Sequence, residues 1–422
     1  MTAADALAEP VAPVPVPEPP SRDLTPAQWV RANLFSTPLN GVLTVVSGAL
    51  LAYGLFRLTR WAFFTSDWEI VRANLRLFMV GRFPTDELWR PWASVYLIAA
   101  TVGLAGGAML AATRPPAGDE AGADAPADRG AWGLVHRLWP LAAATVLTLA
   151  MTRTALPTVL TAGLVATFVV ARLAGARVPG LRRFAWPLVV AGVLAAAAVL
   201  MVGGGVGWER WGGLHLNIAA TVVGIALAFP LGLALALGRR STLPALRFLS
   251  VGYIEAFRAV PLVALLFVSR YMVGFLFPTS VEPPSYLVRA VIVITLFEAA
   301  YIAEIVRGGL QSVPKGQAEA AQAIGLAPFG VMRRVVLPQA LRAVIPAMVG
   351  QFISLFKDTS LLSVVSFLEV LAVAEVATEQ DAFRGQGGQV VTLTFAGLLF
   401  WAGCSTMARE SRRLERRVEV AR

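Results

Sequence analysis

Long runs without a single charged residue set the first constraint on this fold. They cover Leu39–Phe56, Pro91–Thr113, Thr154–Ala171, Phe184–Trp208, Trp211–Gly238 and Gly385–Ala408. A bilayer core takes roughly 20 predominantly apolar residues per helix, and most of these runs supply them. The chain is 57% hydrophobic and only 15% charged, with a mean hydropathy of +0.67. It therefore reads as an all-α polytopic membrane protein. The net charge of +10 is mostly arginine placed between the runs. It is read as setting orientation and not as a nucleic-acid footprint.

The chain divides near residue 210. Before it stand Leu39–Phe56, Pro91–Thr113, Leu138–Thr152, Thr154–Ala171 and Phe184–Trp208. Leu138–Thr152 is short, and Arg153 separates it from its successor. Two helices joined by a tight turn give about ten spans in all; one kinked helix gives nine. Residues 1–37 read as a disordered, cytoplasmic tail, rich in Ala, Pro, Val and Glu near its start and without the basic start of a signal peptide. Residues 38–209 form a transmembrane extension, interrupted by a flexible loop over 114–137 with Pro115-Pro116 and acids such as Asp119 and Glu120. A five-span core over 210–410 follows, with spans near Leu216–Gly238, Tyr253–Phe277, Leu287–Arg307, Ile345–Leu362 and Val390–Ala408, then a basic tail over 411–422. Arg239 and Arg240 close the first core span, and Arg409, Arg412, Arg413, Arg416 and Arg417 follow the last. Both ends, and both termini, are expected in the cytoplasm. This places 308–342 inside and the acidic loop Glu369–Arg384 outside. Ten spans also put Arg57–Arg90 outside, against its arginines.

Buried charge separates the two halves. The N-terminal runs hold none, whereas the core spans hold Glu255, Arg258, Arg270, Glu298, Glu304, Arg307, Lys357 and Asp358. A charge at the bilayer centre costs roughly 2.5–3.5 kcal/mol on insertion scales, so such groups face a polar path or a partner. The core is thus where a solute passes, and the extension reads as a lipid-facing annex. Glu255 and Arg258, three apart, fit either an intrahelical pair or a path; Glu304 and Arg307 fit a structural pair. Lys357-Asp358 fits a snorkelling pair or a gate. Glu298, mid-span and without a local partner, is the strongest candidate for a solute's ammonium group. Cys404 is the only cysteine, and His136 and His215 stand apart. No metal cluster, P-loop, nucleophile elbow or zinc-helix motif is present, so neither a metal site nor enzymatic turnover is expected.

The polar segment 308–342 interrupts the apolar core. Gln317–Ile324 is Ala-rich and helix-forming, Gly325 suits a left-handed cap, and Pro328 suits the first turn of a second helix. Leu337-Pro338 is expected to end that helix before the chain re-enters the membrane near Pro346. Glu319, Arg333 and Arg334 are left for contacts. By spacing alone, a connector lying on the lipid surface also fits.

Glu319-Ala320-Ala321, then Gly325, then Val335, Leu337 and Pro338 resemble the cytoplasmic Glu-Ala-Ala signature of ABC importer permease subunits, with Val335 in place of Ile. The flanks, Glu255–Leu262, Ala300–Leu310 and Lys357-Asp358-Thr359-Ser360-Leu361, are similar to the polar amino acid permeases of the histidine and glutamine type, and the extension with Trp29–Asn40 resembles the longer permease subunits of general L-amino acid and glutamate/aspartate-type transporters. The resemblance of the core covers about 210–410. It implies that Glu319, Ala320, Ala321, Gly325, Arg333, Leu337 and Pro338 couple to an ATPase dimer carrying ATP-Mg, with no cofactor on this chain. It further implies a second homologous permease in a heterodimer, a periplasmic amino acid-binding protein and a bacterial inner membrane. Glu298, Glu255, Arg258, Arg270, Lys357 and Asp358 are the candidates for the solute path. An ion-gradient-driven amino acid transporter is the alternative; it needs an internal repeat that the sequence does not display.

Overall fold

The computed structural model describes residues 25–111, six residues between 139 and 146, 155–201, 205–207 and 210–420. The loop expected over 114–137 and most of Leu138–Thr152 lie outside the described residues. The chain forms two units, residues 1–66 and 67–422.

In the first unit, α1 (Pro26–Leu34) precedes α2 (Pro38–Arg60). Thr25 and Gln28 form a reciprocal capping box, with Pro at the first turn of α1. Local capping thus makes a helix within the stretch expected to be a disordered tail over 1–37. The Thr44 hydroxyl donates to Leu34 O at 2.8 Å, tying α1 to α2. Among its described residues α2 buries none.

The second unit begins with two short helices, α3 (Glu69–Ala73) and α4 (Leu75–Val80), then α5 (Trp89–Ala111), α6 (Ala155–Arg177) and α7 (Ala185–Met201). Helix α5 packs against both α6 and α7. The approach to α6 is backbone to backbone: a Cβ on Gly107 would lie 2.0 Å from Arg172 O, and one on Gly175 2.1 Å from Leu104 O. Small residues permit this contact in lipid, where packing and not water exclusion drives association. Helices α3 and α4 depart from the annex reading. They bury Ile70, Val71 and Phe78, join Asn74 to Gln380 through paired amides at 2.6 and 3.2 Å, and set Phe78 edge-on to Phe395 at 5.0 Å. The part of 57–90 expected to be a loop is therefore built into the core.

The core comprises α8 (Gly213–Arg239), α9 (Pro244–Ala259), α10 (Leu262–Phe267), α11 (Tyr286–Ser312), α12 (Lys315–Ala323), α13 (Pro328–Val331), α14 (Leu337–Asp358), α15 (Val370–Val376) and α16 (Gln389–Val420). Helices α8, α11 and α14 form its centre. One apolar cluster gathers Leu216, Leu287, Ile294, Leu355 and Leu362, the other Ala236, Val306, Leu310, Ala340 and Val344. These memberships make α8 and α11 parallel and α14 antiparallel to both.

Two prolines depart from expectation. The span expected over Tyr253–Phe277 is broken: α9 and the helical stretch after it meet at 99°. Pro261 has no N–H to donate and pushes Val260 out of the helical region, to φ −107° and ψ 133°. By contrast, Leu337-Pro338 ends nothing. A π turn over Met332–Val336, in which Leu337 N bonds back to Met332 O, absorbs the proline, and α14 runs straight on. Among the described residues, seven helices are long and apolar enough to cross a membrane, or eight with the bent pair counted as one span. The shorter apolar helix Pro187–Leu200 stands beside these; the described residues do not fix the count at nine or ten, since most of Leu138–Thr152 lies outside them.

Candidate functional site

The polar segment is largely exposed on one face and seated on the core by the other. Helix α12 ends in two reciprocal bonds, Leu326 N to Ala321 O at 3.2 Å and Gly325 N to Gln322 O at 2.8 Å. This is the six-to-one and five-to-two pattern that requires a left-handed residue. Gly325 supplies it with φ +86°, and a Cβ there would meet nothing within 4 Å. The glycine is needed for its conformation and not for space. Ala321, Val331 and Val336 are buried with Leu310 and Ala340 in one cluster, which anchors the segment.

The opposite face is exposed. It carries Glu319, Ala320, Arg333 and Arg334, while Leu337 and Pro338 are half-buried. Two large apolar groups stand out beside the cap, Ile324 at 79% and Phe329 at 75% exposure. Sequence reasoning passed over both. Their signal was an apolar residue on either side of the Gly325–Pro328 turn.

An ionic cluster closes the same end of the core. Glu304 accepts from Arg239 and, at 2.9 Å, from Arg307, with Arg258 at 3.9 Å. Glu255 lies 3.6 Å from Arg239. Glu255 and Arg258 are thus divided between α8 and α11, where an intrahelical pair was one expectation. Arg239, read only as an orientation signal, is the link between them. The Arg258 guanidinium also lies 5.4 Å from the Tyr301 ring centre.

The remaining path candidates fall in two places. Glu298 is fully buried mid-way along α11. Gln351 of α14 donates to its Oε2 at 2.9 Å, while its Oε1 and the Thr295 hydroxyl find no partner among the described residues. At the far end, Arg270 lies in a π turn after α10, its guanidinium 4.4 Å from the Tyr286 ring centre. Lys357, exposed, and Asp358, half-buried, end α14.

Directly after them a buried network begins. The Asn217 amide donates to Thr359 Oγ1 and to Glu369 Oε2, both at 3.0 Å, and its Oδ1 accepts from Val370 N at 3.2 Å. Glu369, expected in an acidic loop on the outer side, is wholly buried and caps α15 through Ala372 N at 2.8 Å. Burial raises its pKa above the usual carboxylate value; bonds from Leu371 N, Asn217 and Ala372 N oppose that, and Glu375 adds to it.

The profile of the family described as binding-protein-dependent transport system inner membrane component matches residues 228–420. The chain is 32% identical to the inner membrane amino-acid ABC transporter permease protein YhdY of Escherichia coli strain K12, over 96% of this chain and 97% of that one. It is 31% identical to the glutamate/glutamine/aspartate/asparagine transport system permease protein BztC of Rhodobacter capsulatus, over 93% of each. The glutamate/aspartate import permease protein GltK of Escherichia coli O6:H1 is 35% identical, over 45% of this chain and 84% of its own length.

Proposed function

The chain belongs to the permease subunits of binding-protein-dependent ABC importers, and on that premise we propose that it admits polar L-amino acids and is driven through its segment 308–342. It is a multi-pass membrane protein, and in this family ATP hydrolysis resides in a separate subunit. The observation that carries the reading is the Gly325 cap. It seats the segment on Ala321, Val331 and Val336 while leaving Ile324 and Phe329 in water. Apolar side chains presented on a rigid, polar-rimmed turn suit a groove on a soluble partner. That partner is the ATPase dimer, with ATP-Mg held there.

Glu319, Ala320, Ala321, Gly325, Arg333, Leu337 and Pro338 are assigned to this coupling surface. Glu255 and Arg258, engaged by Arg239 and Glu304, are assigned to holding the coupling end together. Arg270, Lys357 and Asp358 are assigned to the path; Glu298, enclosed between α11 and α14, meets solute only when those helices part. The substrate class rests on the names of the relatives. A second, related permease completes the path as a heterodimer, and a periplasmic binding protein delivers the solute. Arginines at Arg239, Arg240 and Arg409 support an inner-membrane topology with both termini in the cytoplasm.

The test is uptake of labelled L-amino acids in cells lacking the chain, restored with wild type or Gly325→Asp. Wild type restores uptake, and Gly325→Asp reaches the membrane without restoring it. Full transport by Gly325→Asp would remove the coupling assignment. Failure of wild type to restore any amino acid would remove the substrate class.

A further inference from the structure

Lys357 and Asp358 stand on the last turn of α14, where a helix end frays unless something holds it. The chain passes from them into a 3₁₀ turn over Thr359–Ser363. Thr359 is wholly buried, donates to Phe356 O at 2.6 Å and accepts from the Asn217 amide at 3.0 Å. Asn217 comes from the first turns of α8 and is itself wholly buried. Its amide also donates to Glu369, and its oxygen receives the Val370 N–H. Both donors and the acceptor of one side chain are thus committed to groups beyond its own helix, and only an amide of this length offers that set.

We propose that Asn217 is a positioning residue for the solute path, holding Lys357 and Asp358 in place through Thr359. This rests on the assignment of that pair to the path. It touches no solute itself. An isosteric Asn217→Asp loses both donors and sets a second carboxylate against Glu369. The turn after Asp358 is then released to shift, and with it the two charges that would distinguish acidic from basic amino acids.

The experiment measures uptake of labelled acidic, neutral and basic L-amino acids by cells carrying Asn217→Asp, with Lys357→Ala and Asp358→Asn in the same panel. Membrane level and ATP hydrolysis by the assembled complex are recorded for each. The expected result is a several-fold change in the ratio of acidic to basic uptake for Asn217→Asp, at normal membrane level, in company with the Lys357 and Asp358 variants. A merely structural role would lower all amino acids in proportion, and that result overturns the inference while the ratio change in Lys357→Ala keeps the path reading. An unchanged ratio in Lys357→Ala and Asp358→Asn overturns both. Should Asn217→Asp fail to reach the membrane, Thr359→Val removes only the hydroxyl link and is expected to change the ratio, while Thr359→Ser retains it. A normal ratio in Thr359→Val again counts against the inference.

Discussion

Gly325 shows what a single residue decides. Its φ of +86° with open space around it means that any Cβ costs about 1–2 kcal/mol in conformation and meets no clash. Gly325→Asn, which tolerates the left-handed region and, unlike Gly325→Asp, adds no charge to the coupling surface, should therefore keep more uptake than Gly325→Ala, with both at wild-type membrane level; equal uptake by the two would point to a different role for the glycine. Glu369 makes a second residue-scale prediction. Its pKa in the folded chain is raised above the ordinary 4.5, chiefly by burial. The folded state then binds the proton more readily than the unfolded state, so this group's contribution to stability falls as pH rises through that window. Thermal unfolding of the detergent-solubilised chain should show that decline, and Glu369→Gln should flatten it; an identical slope in the variant would contradict the assignment. Gly325 and Pro328 were legible because a cap and a first turn are local chemistry. Asn217 and Glu369 were not, because they lie 152 residues apart, and an acid in a linker reads as exposed until its neighbours are known.

Among the elements, the two prolines teach opposite lessons. Pro261 stands where the chain turns through 99°, whereas Pro338 sits inside a continuous run because a π turn rearranges the bonds before it. Sequence shows that each lacks an N–H; whether the helix bends or rewinds depends on what packs around it. The runs at Leu39–Phe56, Leu287–Arg307 and Val390–Ala408 were legible because lipid demands long apolar helices. Helices α3 and α4 were not, since such short helices carry too little periodicity. Their amide pair, Asn74 with Gln380, clamps the extension to the linker that carries Glu369. With Cys404→Ser as background, Asn74→Cys and Gln380→Cys should be cross-linkable by a short bifunctional reagent, and the joined protein should still transport. Transport abolished by the link and recovered on its release would show that this contact must open.

At the scale of the whole molecule, polarity is segregated to the two ends of the core. One end gathers Arg239, Glu255, Arg258, Glu304 and Arg307 beside the segment with Ile324 and Phe329. The other gathers Asn217, Thr359 and Glu369 next to Lys357 and Asp358. Between them lie apolar clusters and the buried acid Glu298, held by Gln351. Helices α8, α11 and α14 pack together between these ends, so under the proposed coupling a push on the exposed segment has a packed route to the far end. The central claim is that this push comes from an ATPase seated on Ile324 and Phe329. Its most direct measurement places a photoreactive group on Ile324→Cys, in the Cys404→Ser background, and identifies the cross-linked partner in membranes of cells that transport. The account predicts a covalent product with the ATPase subunit. Labelling of lipid alone, with transport intact, would contradict it.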